Sequence, residues 1–386
     1  MEIFRKMSFA DSTGDAIPFY HEGKYHIFSL TSPPGTTVYP ERLRTTWSHS
    51  VSEDLVHWKE LPTALYPGEG EEPDASGVWT GSVIYGEGQF HAFYTGYCLT
   101  AEFQQTICHA TSEDGITWKK DTANPVITPI TELYEKLDWR DPYVFYNEED
   151  ENYWILISAR RLDMPITRRG CIVLYRSKDL KNWSYYGPIY SPGHTNCPEC
   201  PEMYRMGNHW YLSYSRFSEF VNTIYRVSES PFGPWRKPKK DGIGGRRFYA
   251  AKSMQNEEGR RFYFGWAHDR AQQSDTGEWY WGGTFCVPHE VVPSENGELD
   301  VKLPREYEQI FGRKTEWEYL PVLGDAKVYG KNTIALHAVE SCSYGFLKHK
   351  EESYMLSCSI IPREAYDSFG ILLKSDKEAS GCLYLE

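Results

Sequence analysis

Three acidic residues, Asp15, Asp141 and Glu199, each stand in a short loop-like motif near a recurring strand pattern. The motifs are Gly14-Asp15-Ala16-Ile17-Pro18, Trp139-Arg140-Asp141-Pro142 and Glu199-Cys200-Pro201-Glu202. Carboxylates this far apart in sequence act on one bond only if the fold brings the strand starts together. Glycoside cleavage needs such a set, because its oxocarbenium-like centre requires one carboxylate at the anomeric carbon and one carboxylic acid at the leaving oxygen. Mutual repulsion among clustered acids helps to separate those two protonation states. A third acid can hold two hydroxyls, and Arg140 beside it can constrain the cluster and keep an acid ionised. Each acid also has a bland alternative: Asp15 as a turn cap, Asp141 paired with Arg140, Glu199 as an ordinary loop acid.

The elements that would position these residues repeat. Gly23-Lys24-Tyr25-His26-Ile27-Phe28 returns at Gly88, and more loosely at Glu151, Gly207 and Gly259, at intervals of 65, 63, 56 and 52 residues. Behind these copies comes a second element, Ser52-Glu53-Asp54-Leu55-Val56-His57-Trp58, then Ser112 to Trp118, Ser177 to Trp183 and the variant Ser228 to Trp235. Its Ser-x-Asp segment reads as a turn and its Trp as a plug between neighbouring sheets. Five short-strand units with Gly, Pro and Asx turns predict an all-β fold, a five-bladed β-propeller over residues 1–317. In a ring, the innermost strand starts of all blades face one axial pocket, which an open sandwich array explains less well. Beyond Pro304 the pattern changes, and residues 318–386 read as part of a β-sandwich, with strands at Thr333–Val339, Tyr354–Ile361 and Phe369–Lys374. Its remaining strands are expected outside this sequence, which stops at Glu386 inside an apparent strand.

Composition narrows the function. Aromatics form 16% of 386 residues, a content that suits sheets and a stacking surface for a polyol. Net charge is −13, from 41 basic and 54 acidic residues, which argues against a nucleic-acid partner. No stretch of about 18 apolar residues suggests a membrane span, and the start lacks a signal-peptide run, so a cytoplasmic location is expected. Nine cysteines at irregular spacing do not form a disulfide framework, and the single C-x-x-C pair, Cys197 and Cys200, has no second ligand pair to make a zinc site. Gly242-Ile243-Gly244-Gly245 lacks the strand-to-helix setting of a dinucleotide fingerprint, so no cofactor is expected. His26, His91 and His209 sit in the blade repeat, where a structural hydrogen bond is the expectation.

With these motifs the chain resembles the five-bladed propeller glycosidases of glycoside hydrolase family 32, the invertase, fructosidase and levanase group. It is more distantly similar to family 43. Arg140-Asp141-Pro142 matches the family's Arg-Asp-Pro, Glu199-Cys200-Pro201-Glu202 its Glu-Cys-Pro-Asp, and Gly14-Asp15-Ala16 occupies its Asn-Asp-Pro-Asn-Gly region without the Pro and Asn that follow the Asp. The resemblance implies Asp15 as nucleophile, Glu199 as general acid/base and Asp141 as the residue that holds sugar hydroxyls. Trp79-Thr80-Gly81-Ser82 resembles the family's Ser-Gly-Ser region, so Trp79, Thr80 and Ser82 are expected at the substrate beside Arg140. Trp47 and His49 could line the same entrance or fill a core, and His268, Asp269 and Trp281 are further pocket candidates.

The expected function is an exo-acting glycoside hydrolase that cleaves terminal β-fructofuranosides from small oligosaccharides by a retaining double displacement, with no metal. Alternatives are a family 43-like inverting arabinofuranosidase or xylosidase, in which Asp15 activates water, a fructosyl-type transferase, and a non-catalytic carbohydrate-binding propeller.

Overall fold

The computed structural model describes residues 4–274, 276–338, 341–348, 354–362, 370–373 and 383–385. Two compact units divide the chain, Met1–Tyr307 and Glu308–Glu386.

The first unit is the expected five-bladed propeller. Blade one contains β1 (Thr13–His21), β2 (Lys24–Thr31), β3 (Thr46–Ser52) and β4 (Trp58–Leu65); blade two contains β5 (Gly77–Gly86), β6 (Gln89–Tyr97), β7 (Gln105–Ser112) and β8 (Lys119–Lys120). Blade three is β9 (Tyr134–Asn147), β10 (Asn152–Arg161), β11 (Gly170–Ser177) and β12 (Ser184–Tyr190). Blade four is β13 (Glu199–Met206), β14 (His209–Arg216) and β15 (Asn222–Ser228), edged by an isolated bridge from Val227 to Arg236. Blade five has β16 (Tyr249–Gln255) and β17 (Arg261–Arg270), then β18 (Trp279–Phe285), β19 (His289–Pro293) and β20 (Leu299–Lys302). Strand β18 pairs with both β17 and β1, so it joins the last sheet to the first.

The second repeated element builds the spaces between blades. Asp54 accepts the backbone N–H groups of Val56 and His57, Asp114 those of Ile116 and Thr117, and Asp179 those of Lys181 and Asn182, all at 2.7 to 3.0 Å. The residue after each Asp is left-handed, with φ of 66° at Leu55, 69° at Gly115 and 60° at Leu180. That sharp turn delivers the following Trp to the preceding blade. Trp118 meets Phe28 edge-on, Trp183 meets Phe93, and Trp58 meets Phe264, so blade one is plugged against blade five in the same way. Phe28, Phe93 and Phe264 each stand five residues into their copy of the first repeat.

Among its described residues the second unit has three two-stranded antiparallel pairs: β21 (Glu318–Leu323) with β24 (Tyr344–Lys348), β22 (Asp325–Tyr329) with β23 (Thr333–His337), and β25 (Ile371–Leu373) with β26 (Leu383–Leu385). The strand expected at Tyr354–Ile361 is not formed. Its apolar residues Leu356, Ile360 and Ile361 are exposed, and the segment joins no sheet ladder among the described residues. Apolar composition marks a strand only where another strand can take its hydrogen bonds. Val339, Phe369 and Lys374 lie outside the described residues.

Because Trp183 connects the third blade to Phe93 of the second, Trp183→Ala should destabilise the protein by roughly 3 kcal/mol. Equilibrium urea unfolding of the variant checks this, and a loss below about 0.5 kcal/mol would show that the plug is not what holds those blades.

Candidate active site

Each innermost strand carries the same irregularity. On β1, Thr13 pairs with Thr31 and Ala16 with Ser29, so three steps on one strand oppose two on the other. The same mismatch lies between Val78 and Gly81, Arg140 and Tyr143, Glu199 and Glu202, and Tyr249 and Lys252. Such a bulge bends the strand and re-aims the side chains within it, which simple alternation would direct into the blade faces. Asp15, Asp141 and Glu199 all lie in or at the edge of a bulge. The second bulge residue is left-handed in three blades, with φ of 59° at Asp141, 50° at Cys200 and 46° at Ala250, a costly backbone for any residue but glycine. At Gly14 the demand is for space, since the Trp281 ring occupies the place a Cβ would take.

The bulges bring the three acids into one cluster, held by bonds from neighbouring blades. Asp15 accepts Thr80 Oγ1 at 2.5 Å from blade two and the Trp266 indole N–H at 2.9 Å from blade five, and the Cys200 thiol lies 3.7 Å from it. Asp141 Oδ2 accepts the Cys200 N–H at 2.9 Å, and its own N–H is held by Thr95 Oγ1 at 2.8 Å. Arg140 places Nη2 2.9 Å from Glu199 Oε1 and Nε 3.7 Å from Asp141, while Tyr249 donates its hydroxyl to Glu199 Oε2.

Burial and mutual repulsion dominate the electrostatics. Asp15 is pushed up to about 6 by desolvation and the nearby Asp141, against the opposing bonds from Thr80 and Trp266. Glu199 is pushed up to about 7 by desolvation, with Asp141 and Asp15 raising it further and Arg140 holding it down. The two acids therefore prefer different protonation states between those values.

A family model for the glycosyl hydrolases family 32 N-terminal domain matches residues 15–302. The chain belongs to this family. Raffinose invertase of Escherichia coli is 29% identical over 316 residues, covering 75% of this chain and 62% of the relative. Sucrose-6-phosphate hydrolase of Zymomonas mobilis is 25% identical over 332 residues, covering 80% and 62%. The crystal structure of fructan 1-exohydrolase IIa from Cichorium intybus superposes with a TM-score of 0.66 at 22% identity, over 83% of this chain and 65% of that one. This chain thus spans less than two thirds of the length of these relatives. The likeness in fold is to the family's five-bladed propeller with a C-terminal β-sandwich.

The other sequence-derived candidates separate into two groups. Thr80 touches Asp15 directly, Trp281 packs 5.8 Å from Trp266, and His268 lies 4.2 Å from Trp266 and 5.4 Å from Tyr249. Asp269, next to His268 on β17, turns to Arg42 at 3.7 Å. Trp79 is half-buried, stacks on Tyr97 at 3.9 Å and donates its indole N–H to the Leu43 carbonyl.

Three candidates belong to the scaffold instead. Trp47 and His49 are fully buried on β3, two strands out from the axis; His49 stacks on Phe28 and hydrogen bonds His26 at 3.0 Å. Ser82 lies past the bulge, where its hydroxyl donates to the Pro142 carbonyl and accepts the Val144 N–H, tying blade two to blade three.

Tyr249 and Trp266, which hold Glu199 and Asp15, have no motif of their own in sequence. Spacing carries the one signal: Tyr249 stands ten residues before Gly259, the interval that also separates Thr13 from Gly23 and Val78 from Gly88. At the rim, Arg247 and Arg270 stack on Trp279 at 3.8 and 3.6 Å.

Because the folded state raises Asp15, its burial favours folding only while the group is protonated, below about pH 4, and this contribution is lost as pH rises through about 6. Asp15→Asn should therefore stabilise the protein by about 1–3 kcal/mol at pH 7.5, with the advantage shrinking to nothing near pH 4. Thermal unfolding of both proteins across that range tests this, and a difference independent of pH would contradict it.

Proposed function

We propose that this protein is a retaining, exo-acting β-fructofuranosidase that releases terminal fructose from small oligosaccharides. The observation that carries this reading is the single cluster of buried Asp15 and Asp141 with half-buried Glu199, in which Glu199 holds its proton to higher pH than Asp15. Ionised Asp15 attacks the anomeric carbon while Glu199 protonates the departing oxygen. A covalent fructosyl-enzyme forms, and Glu199, now ionised, takes a proton from the water that releases it.

Asp141 is suited to the sugar hydroxyls. Its Oδ2 is occupied by the Cys200 N–H, while Oδ1 has no partner among the described residues. Arg140 and Tyr249 orient Glu199, and Thr80 and Trp266 orient Asp15. The leaving sugar would meet His268, Trp281 and the stack on Trp279. The relatives named above, an invertase, a sucrose-6-phosphate hydrolase and a fructan exohydrolase, support fructoside cleavage.

A screen of fructosides, arabinosides and xylosides, with product anomers followed by NMR, tests the assignment. Fructoside cleavage with retention is expected; arabinoside cleavage with inversion would replace it by the inverting alternative.

The pH dependence of kcat/KM should be bell-shaped, rising as Asp15 ionises near pH 6 and falling as Glu199 deprotonates near pH 7. Glu199→Gln should remove the falling limb with an activated fructosyl donor, lose roughly 10²–10⁴-fold on sucrose, and regain turnover with azide as acceptor. Asp15→Asn should be inactive on both substrates. Steady-state profiles of the three proteins decide the matter, and substantial turnover by Asp15→Asn would exclude it as nucleophile.

A further inference from the structure

Beneath the catalytic cluster the propeller axis holds a buried lysine that the mechanism above leaves unused. Lys252 immediately follows the fifth bulge, where the other blades have Ala16, Gly81, Tyr143 and Glu202. Its side chain is 1% exposed. The ammonium crosses the axis and donates to the Gly81 carbonyl of blade two. Gly81 follows Thr80, whose hydroxyl bonds Asp15 at 2.5 Å. Among the described residues the ammonium has no direct carboxylate partner, and it borders a cavity of about 170 Å³ shared with Glu202, Arg261 and Tyr143.

A buried, unpaired ammonium is expensive in isolation, since desolvation is not repaid by a contact ion pair. Here its charge is felt at longer range by groups on two other blades. It lowers Asp15 on β1, and both Glu202 and Cys200 on β13. Tyr143 of β9 turns its ring toward the ammonium at 5.7 Å, and Arg261 of β17 adds positive charge at Glu202. Glu202 is itself satisfied by the Ser253 N–H and hydroxyl at 2.8 to 2.9 Å. Among the described residues Asp15, by contrast, has only the neutral donors Thr80, Trp266 and Cys200 as hydrogen-bond partners. Arg140, the cation of the cluster, is bonded to Glu199 and Asp138 instead.

We propose that Lys252 is a positioning residue for the nucleophile: through the Gly81 carbonyl it fixes the bulge that presents the Thr80 hydroxyl, and its charge keeps Asp15 ionised beside two other acids. The division of labour is then between two cations, Arg140 serving Glu199 and Asp141, and Lys252 serving Asp15 from below. This rests on the nucleophile role given to Asp15, but its test does not require turnover.

The experiment is the pH dependence of the stability change caused by Asp15→Asn, measured by thermal unfolding in three backgrounds: wild type, Lys252→Met and Lys252→Arg. The slope of that difference against pH reports proton binding by Asp15, and the midpoint of its fall to zero on the alkaline side marks Asp15 ionisation in the folded protein. Removing the charge should move the midpoint up by about one pH unit, and Lys252→Arg should return it toward the wild-type position. The rising limb of kcat/KM on sucrose should move with it. Where Lys252→Met fails to fold because Glu202 keeps only Arg261 as a nearby cation, Lys252→Gln with Glu202→Gln removes both charges and should give the same upward shift, since Lys252 is the cation that Asp15 feels. A midpoint that stays in place in either variant overturns the proposal, even where stability or activity falls at every pH, because a merely structural lysine would do that. If no fructoside is cleaved, the catalytic reading falls while the stability midpoint still decides the role of Lys252.

Discussion

The arrangement depends on one backbone constraint, the extra residue in the innermost strand of every blade. A regular strand alternates its side chains between the two faces of its sheet, and in a propeller both faces are covered by neighbouring blades. Side chains would then fill inter-blade cores and leave the axis lined by backbone. One inserted residue at the same height in all five strands breaks the alternation there and directs Asp15, Asp141 and Glu199 to a common point. The left-handed conformations at Asp141, Cys200 and Ala250 belong to that geometry. Such strain persists only where surrounding structure over-determines it, and the inter-blade Trp plugs and hydroxyl bridges provide that frame.

Those bridges explain why the cluster tolerates its own charge. Each acid is held by donors from adjacent blades: Asp15 by blades two and five, Asp141 by blade four, Glu199 by blades three and five. Closing the ring therefore both creates the site and supplies its ligands. Desolvation still outweighs these bonds at Asp15 and Glu199, since both are raised above their ordinary values. The site is thus a local cost to stability at neutral pH, of the kind expected where function and folding compete.

Much of this is legible in sequence, for unequal reasons. The blade count follows from five copies of one hexapeptide, because each blade repeats the same second strand. The three acids stand out because each bulge carries a compact motif containing Gly or Pro. Trp47, His49 and Ser82 read as pocket candidates because polar and aromatic residues in a β-rich segment do not disclose which strand lies at the axis. That depends on ring closure, and β3 is two strands out. Tyr249 and Trp266 carry no motif in sequence for the complementary reason, since they are single donors whose importance comes from blades that lie far off along the chain, and only the spacing of Tyr249 from Gly259 marks its strand position. The segment Tyr354–Ile361 reads as a strand from apolar composition, which does not disclose a pairing partner, and it joins no ladder among the described residues.

The departure of the first motif from the family pattern also has a structural setting. Ala16 and Ile17 stand where the family has Pro and Asn after the nucleophile Asp. In this fold Ala16 and Ile17 are buried in the blade and pair with Ser29 and Phe28, so neither side chain is available to steer Asp15. The carboxylate takes its orientation from Thr80 and Trp266, on other blades. With the local residues removed from that task, the requirements at Asp15 become space, donors and charge. Gly14 leaves room for the Trp281 ring, the two flanking blades provide the donors, and Lys252 is the cation nearest in effect. A motif that looks degenerate along the chain is therefore completed across the ring, and its fitness for catalysis has to be judged from blades two and five as much as from residues 14 to 18.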